Sequence, residues 1–200
     1  MSLVAQDPGE TPDLSFVRKL PVTQAAIEYA RSRHGEQRRA ADGAPFLLHL
    51  VEVASLLDRS GYPDRVVAAA VLHDVLEDTE TDPFDLRSQF GSEVCELVAV
   101  VSDDPAVSDE DERKSETRER VRQAGGYAPA VYAADKVSKV RELRILIARG
   151  MQPEEARIRH RRYRESLVML DQALPDTRLV ELLRFELEAL ERLPPEPEGD

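Results

Sequence analysis

Val66-Val67-Ala68-Ala69-Ala70-Val71-Leu72-His73-Asp74-Val75-Leu76-Glu77-Asp78 is the stretch around which the chain is organised. Its first seven residues are apolar without interruption, which reads as a helix buried on most sides. Its last six carry four polar side chains, and such groups at the end of a buried helix are costly unless they are paired or bind a metal. With Pro63 at the first helical position, the spacing predicts one helix running to about Thr79. Helical periodicity then sets His73 beside Glu77 and Asp74 beside Asp78. An imidazole and carboxylates so placed seed a divalent-metal site, and the remaining segments must supply the other ligands.

Composition narrows the setting. Two hundred residues fit one domain, or a domain with an appendage, and 42% hydrophobic with 33% charged residues describes a soluble globular chain. No apolar run is long enough to cross a bilayer and no leader pattern opens the chain, so a cytoplasmic location is the default expectation. The net charge of −12 argues against general nucleic-acid binding and against an anionic membrane surface. A small anionic substrate stays open, because local charge decides that. The single cysteine, Cys95, lies in an apolar run and reads as an inert buried thiol.

Outward from the central stretch, the chain reads as about eight helices and no sheet, an all-α bundle. Residues 1–22 form an extended lead-in punctuated by Pro8, Gly9, Pro12 and Pro21; residues 23–193 form the helical domain; residues 194–200 form a disordered tail. Thr23 is the expected N-cap of the first helix. Pro45 to Leu57 is strongly helical and contains His49 within its apolar run. Asp82 caps a short helix that stops at Gly91, and Ser92 to Val101 follows as another. Ser108 to Arg122 is a charged helix. A long helix from Pro129 to Gly150 carries Asp135, and two more begin at Pro153 and near Pro175.

His49, the His73-Asp74 pair and Asp135 are thus polar sites expected on three buried helices. A lone core histidine is more often a hydrogen-bonded structural residue than a ligand. One ion, however, satisfies all three sites together. Two imidazoles and two carboxylates suit Mn, Fe, Co, Ni or Zn better than Ca, and leave positions for water and substrate. Glu77 and Asp78 follow the ligands and could act on a proton; the plain alternative, that they merely close a helix C-terminus, sets acidic groups where the helix dipole disfavours them.

The order His49 … His73-Asp74 … Asp135 resembles the metal-ligand order of the HD-domain phosphohydrolases, and most of all the hydrolase domain of RelA/SpoT-type (p)ppGpp enzymes and their small stand-alone relatives. Gln37-Arg38-Arg39 with Gly43-Ala44-Pro45-Phe46-Leu47-Leu48-His49 is similar to their basic pair, turn and ligand histidine. His73-Asp74-Val75-Leu76-Glu77-Asp78-Thr79 is similar to their His-Asp-x-x-Glu-Asp-Thr signature. Phe90-Gly91-Ser92-Glu93-Val94 and Ala134-Asp135-Lys136 complete the resemblance, which spans about Thr23 to Arg144.

The resemblance implies an HD-domain helical bundle and a metal-dependent hydrolase of a small anionic nucleotide, (p)ppGpp, releasing pyrophosphate. The expected cofactor is a divalent transition metal, manganese first. Glu77 and Asp78 would be the catalytic acid/base pair, with Arg38 and Arg39 on the guanine or its phosphates. Three departures accompany it: Leu50 replaces the proline after the ligand histidine, the loop before His49 is one residue longer, and Ser138 and Lys139 replace the His-Asn pair after the last aspartate. The last keeps two other readings in play, hydrolysis of a nucleotide such as a 5′-monophosphate and a non-catalytic nucleotide-binding module. Lys136 and Lys139 flank a ligand and are candidate phosphate contacts. Arg113 and Lys114 could also reach the cleft. The arginines of 157–164 suit either a phosphate-binding lobe or a salt-bridged outer face.

Overall fold

The computed structural model describes residues 14–192, and among them there is no β-strand. A 3-10 turn over Ser15–Lys19 leads into α1 (Pro21–His34), α2 (Leu47–Arg59), α3 (Asp64–Leu72) and the single turn α4 (Val75–Asp78). There follow α5 (Pro83–Val101), α6 (Glu110–Ala124), α7 (Ala128–Ala148), α8 (Pro153–Ala173) and α9 (Arg178–Glu191). Of the expected lead-in, residues 1–13 lie outside the described residues, and so does the expected tail at 194–200.

The apolar run behaves as its composition requires. All seven residues from Val66 to Leu72 are fully buried, with α3 packed against α1, α2, α5 and α7. The second axis of the bundle is α7, which touches α2, α3, α5, α6, α8 and α9 and buries twelve of its own residues, Asp135 and Ser138 among them. The α2 helix lies against both and buries His49 between them. The three segments with polar intrusions therefore meet at the centre of the fold.

Two helix starts differ from the local reading. Pro63 is the extended N-cap of α3 (φ −69°, ψ 156°), and Asp64 is the first helical residue. The α1 helix begins at Pro21, two residues before Thr23. The reason is tertiary. The Asp64 carboxylate accepts from the N–H groups of Val22 and Thr23, both at 2.9 Å, and from the Thr23 hydroxyl at 2.6 Å. One aspartate at the start of α3 thus caps the start of α1, so Thr23 is not needed as a cap.

The largest departure falls within the central stretch. The helix predicted to reach Thr79 stops at Leu72, and α4 restarts at Val75. In a continuous helix the Ala70 carbonyl would serve the N–H of residue 74; here it accepts His73 Nδ1–H at 2.7 Å. A side chain inserted into the ladder breaks it. His73 and Asp74 occupy the break, and Glu77 and Asp78 project from a separate turn. Farther on, Gly91 adopts φ 84° and ψ 170°, a conformation glycine tolerates, and kinks α5 where the sequence placed a junction. Asp82 Oδ1 accepts from Phe84 N–H at 2.6 Å, as expected of an N-cap.

Candidate active site

His49, His73 and Asp135 bring ligand atoms within 4.8 Å of one another. The two Nε2 atoms are 3.3 Å apart, and Asp135 Oδ1 is 3.4 Å from each. Asp74 Oδ2 lies 3.2 Å from His73 Nε2 and 3.6 Å from His49 Nε2. Ligands held about 2.1 Å from one ion are separated by roughly 3.0 Å in octahedral and roughly 3.4 Å in tetrahedral order. Asp74 Oδ2 and Asp135 Oδ1 are buried and accept no hydrogen bond. Buried acceptors of this kind are rare without a reason, and unpaired carboxylate oxygens facing two imidazoles have the donor chemistry of a divalent-metal site.

Both imidazoles are turned to suit an ion. His73 Nδ1–H is spent on the Ala70 carbonyl, so its Nε2 faces the centre. His49 Nδ1 lies 2.9 Å from Ser138 Oγ, so its Nε2 faces the same point. The electrostatics favour positive charge here. Burial alone would lower the His73 pKa, yet the negative charges of Asp74 and Asp135 beside its Nε2 outweigh it, and the imidazole is pushed up to about 10. Burial opposes ionisation of Asp74 and Asp135 as well. His73 and Lys139 hold Asp74 well below the usual carboxylate range, and Lys136 with the two histidines does the same for Asp135.

Glu77 and Asp78 make different contacts at the helix break. Glu77 Oε2 accepts from the N–H of Asp103 at 3.1 Å, which ties α4 to the loop after α5. That loop is itself pinned: Ser102 Oγ donates to the His73 carbonyl at 3.1 Å, and Asp103 bonds Lys114 and the Thr117 hydroxyl. Asp78 lines the cavity, and its carbonyl accepts from Gln37 Nε2 at 3.0 Å. Burial, then the negative charges of Asp74 and Glu77, push the Asp78 carboxyl up to about 6. That is a suitable value for a group exchanging protons near neutral pH.

The cluster opens into a cavity of about 110 Å³ lined by His73, Asp74, Glu77, Asp78, Asp103 and Asp135, among others. A second cavity, about 220 Å³, is lined by Lys114, Arg118, Lys136, Lys139, Arg159 and Arg162, with Tyr132, Tyr163, Ser166 and the acidic Glu110. Lys114, Tyr132, Lys136 and Lys139 belong to both. Lys136 Nζ bonds Asp135 Oδ2 at 2.6 Å and sits 4.3 Å from the Tyr132 ring centre. Lys139 Nζ lies 3.8 Å from Asp74 Oδ2 and 5.5 Å from the Phe46 ring centre. A concentration of cations beside a metal-type cluster is what a phosphorylated substrate requires.

The arginines of α8 form a salt-bridged face, and two of them also border the basic cavity. All five pair with carboxylates, Arg159 with Glu155 and Arg162 with Glu110 and Asp111, but Arg159 and Arg162 also line the basic cavity, whereas Arg157, Arg161 and Arg164 do not. Arg38 is exposed, with Glu36 at 3.7 Å. Arg39 is turned inward and bonds the Asp42 carboxylate within its own loop, so its guanidinium is engaged in shaping the loop rather than projecting into the cleft. Residues that the sequence did not flag include Asp103, which looked like part of a helix break, and Glu52 and Glu142, ordinary acidic positions until α2 and α7 meet.

Comparison with known proteins identifies the family. The family model for the HD domain matches residues 26–162. The guanosine-3′,5′-bis(diphosphate) 3′-pyrophosphohydrolase MESH1 of Drosophila melanogaster is 32% identical over 131 residues, covering 64% of this chain and 73% of that protein. Its Mus musculus counterpart is 36% identical over 121 residues, covering 59% and 67%. The solved structure of a metazoan SpoT orthologue that hydrolyses ppGpp superposes with a TM-score of 0.73 at 25% identity, covering 93% of this chain and 100% of that one. The chain therefore belongs to the HD-domain family, on its branch of MESH1- and SpoT-type hydrolases.

Proposed function

We propose that this chain is a cytoplasmic, metal-dependent pyrophosphohydrolase of a (p)ppGpp-type nucleotide. In this reading His49, His73, Asp74 and Asp135 hold one divalent transition metal, manganese first. The observation that carries it is the wall shared between the metal-type cluster and the basic cavity, formed by Lys114, Tyr132, Lys136 and Lys139. A phosphoryl group at the cluster would leave the rest of an anionic nucleotide among the cations. The names and substrates of the relatives point to the same chemistry.

A divalent ion so placed supplies Lewis acidity toward the phosphoryl oxygen and makes water more acidic. Asp78, with its raised pKa, takes and returns the proton of the attacking water. Glu77 aligns that turn through the Asp103 N–H. Lys139 contacts phosphate, and Lys136 both offsets Asp135 and borders the substrate. Arg38, exposed beside Glu36, meets the nucleotide, whereas Arg39 supports it by ordering the loop.

The test is product analysis with Mn²⁺. Pyrophosphate released from (p)ppGpp, and lost in Asp135→Asn, is the expected result. Ser138 and Lys139 favour one competing substrate class, since a lysine beside the centre suits a simple phosphate. Orthophosphate from nucleoside 5′-monophosphates with no turnover of (p)ppGpp would establish that alternative. Failure to bind any transition metal would remove the catalytic reading.

A further inference from the structure

The centre is backed by a chain of polar residues that continues away from substrate. His49 is fully buried, and its Nδ1 lies 2.9 Å from Ser138 Oγ, itself fully buried. Ser138 Oγ is 2.7 Å from Glu52 Oε2. The other Glu52 oxygen accepts from Arg141 at 2.7 Å. Arg141 also donates to Glu186 of α9 at 2.7 Å, and Glu186 takes a further bond from Arg144 at 3.0 Å.

The direction of each bond follows from the inventory of protons. A carboxylate paired with arginine only accepts, so the one Ser138 hydroxyl proton goes to Glu52. Ser138 Oγ is then an acceptor toward His49, and the imidazole proton must sit on Nδ1. Glu142 Oε1, 3.3 Å from that nitrogen and without a hydrogen bond, adds negative charge on the same side. The Nε2 lone pair is left facing His73 and Asp135.

We infer that Ser138 and Glu52 are positioning residues, forming a relay that fixes the His49 ring and tautomer so that Nε2 is presented for metal ligation, with Arg141 and Glu186 anchoring the relay to α9. The inference rests on the metal-site reading above but concerns residues outside it. It also gives Ser138 a role that does not require contact with nucleotide. Both ends of the relay are private to the packing of α2 against α7: Glu52 is three residues after His49, and Ser138 three after Asp135. Outer partners of this kind typically change metal affinity about 10–100-fold when removed.

Two measurements on the full chain test it. Imidazole ¹⁵N shifts of the metal-free protein should show His49 with its proton on Nδ1, a preference lost in Ser138→Ala and retained in Ser138→Thr, which keeps the hydroxyl. Mn²⁺ titration by calorimetry should give about 10–100-fold weaker binding in Ser138→Ala and in Glu52→Leu, and near wild-type binding in Ser138→Thr. A folded Ser138→Ala protein with the wild-type tautomer and wild-type Mn²⁺ affinity overturns the relay. Wild-type protein that binds no Mn²⁺ overturns the metal reading instead, while the tautomer measurement still decides whether Ser138 orients His49.

Discussion

Asp78 illustrates how the site is bought at a cost in stability. Its carboxyl is raised to about 6 by burial and by Asp74 and Glu77, so ionising it is harder in the folded chain than in the unfolded one. The sign follows from linkage: the penalty is absent well below the unfolded value, grows as pH rises from that value to about 6, and is complete above it. Asp78→Asn removes it. At pH 7.5 in chelator the variant should be more stable by about 1 kcal/mol after allowance for solvent screening, raising Tm by roughly 2–4 °C, and the gain should shrink to about half at pH 5 and fade toward about pH 3. Turnover should fall by about 10²-fold or more. A variant that melts at or below wild type at pH 7.5 would contradict this account. The residues legible in the sequence were those whose polarity interrupted an apolar run: His49, His73, Asp74 and Asp135. Glu52, Ser138 and Glu142 carried no such local mark, because their partners stand across a helix interface formed between segments some ninety residues apart.

At the scale of the element, the cap of α1 is a case in which local chemistry and tertiary packing select different residues. Thr23 has the right side chain for an N-cap, but Asp64 provides the acceptor for two backbone N–H groups and for the Thr23 hydroxyl together. Asp64→Ala should therefore cost about 1–2 kcal/mol in denaturant unfolding, while Asp64→Asn, which keeps one oxygen acceptor, should cost less. Equal stability of Asp64→Ala and wild type would show that solvent satisfies those groups as well. The same contrast explains the central stretch. Its apolar half was legible as a buried helix because seven buried residues need no partner specified by distance. Its polar half was misread as a continuation, since the break depends on His73 turning back onto Ala70, a choice that sequence periodicity does not register. Gly91 was legible because its backbone freedom is local.

Across the whole molecule, the candidate centre is the place where α2, the α3–α4 break and α7 are joined by side chains whose outermost members, His49 and Asp135, lie 86 residues apart in sequence. Among the described residues no helix is long and apolar enough to cross a membrane. Bringing two carboxylates and two imidazoles together without an ion leaves Asp74 Oδ2 and Asp135 Oδ1 buried and without hydrogen bonds. A cation that binds only the folded arrangement must then stabilise the whole domain by mass action. At a free Mn²⁺ concentration 1,000-fold above Kd the gain is about 4 kcal/mol, and for a chain of this size it raises Tm by roughly 8–16 °C. Asp135→Asn should melt at a temperature that Mn²⁺ barely changes, whereas Asp64→Ala, far from the centre, should keep the full metal-dependent increment from a lower starting point. Scanning calorimetry of the three proteins in chelator and in Mn²⁺ separates these effects. If wild type shows no increment while still hydrolysing (p)ppGpp in chelator, the four side chains would be a structural cluster and the hydrolysis would have to be assigned to another part of the cleft.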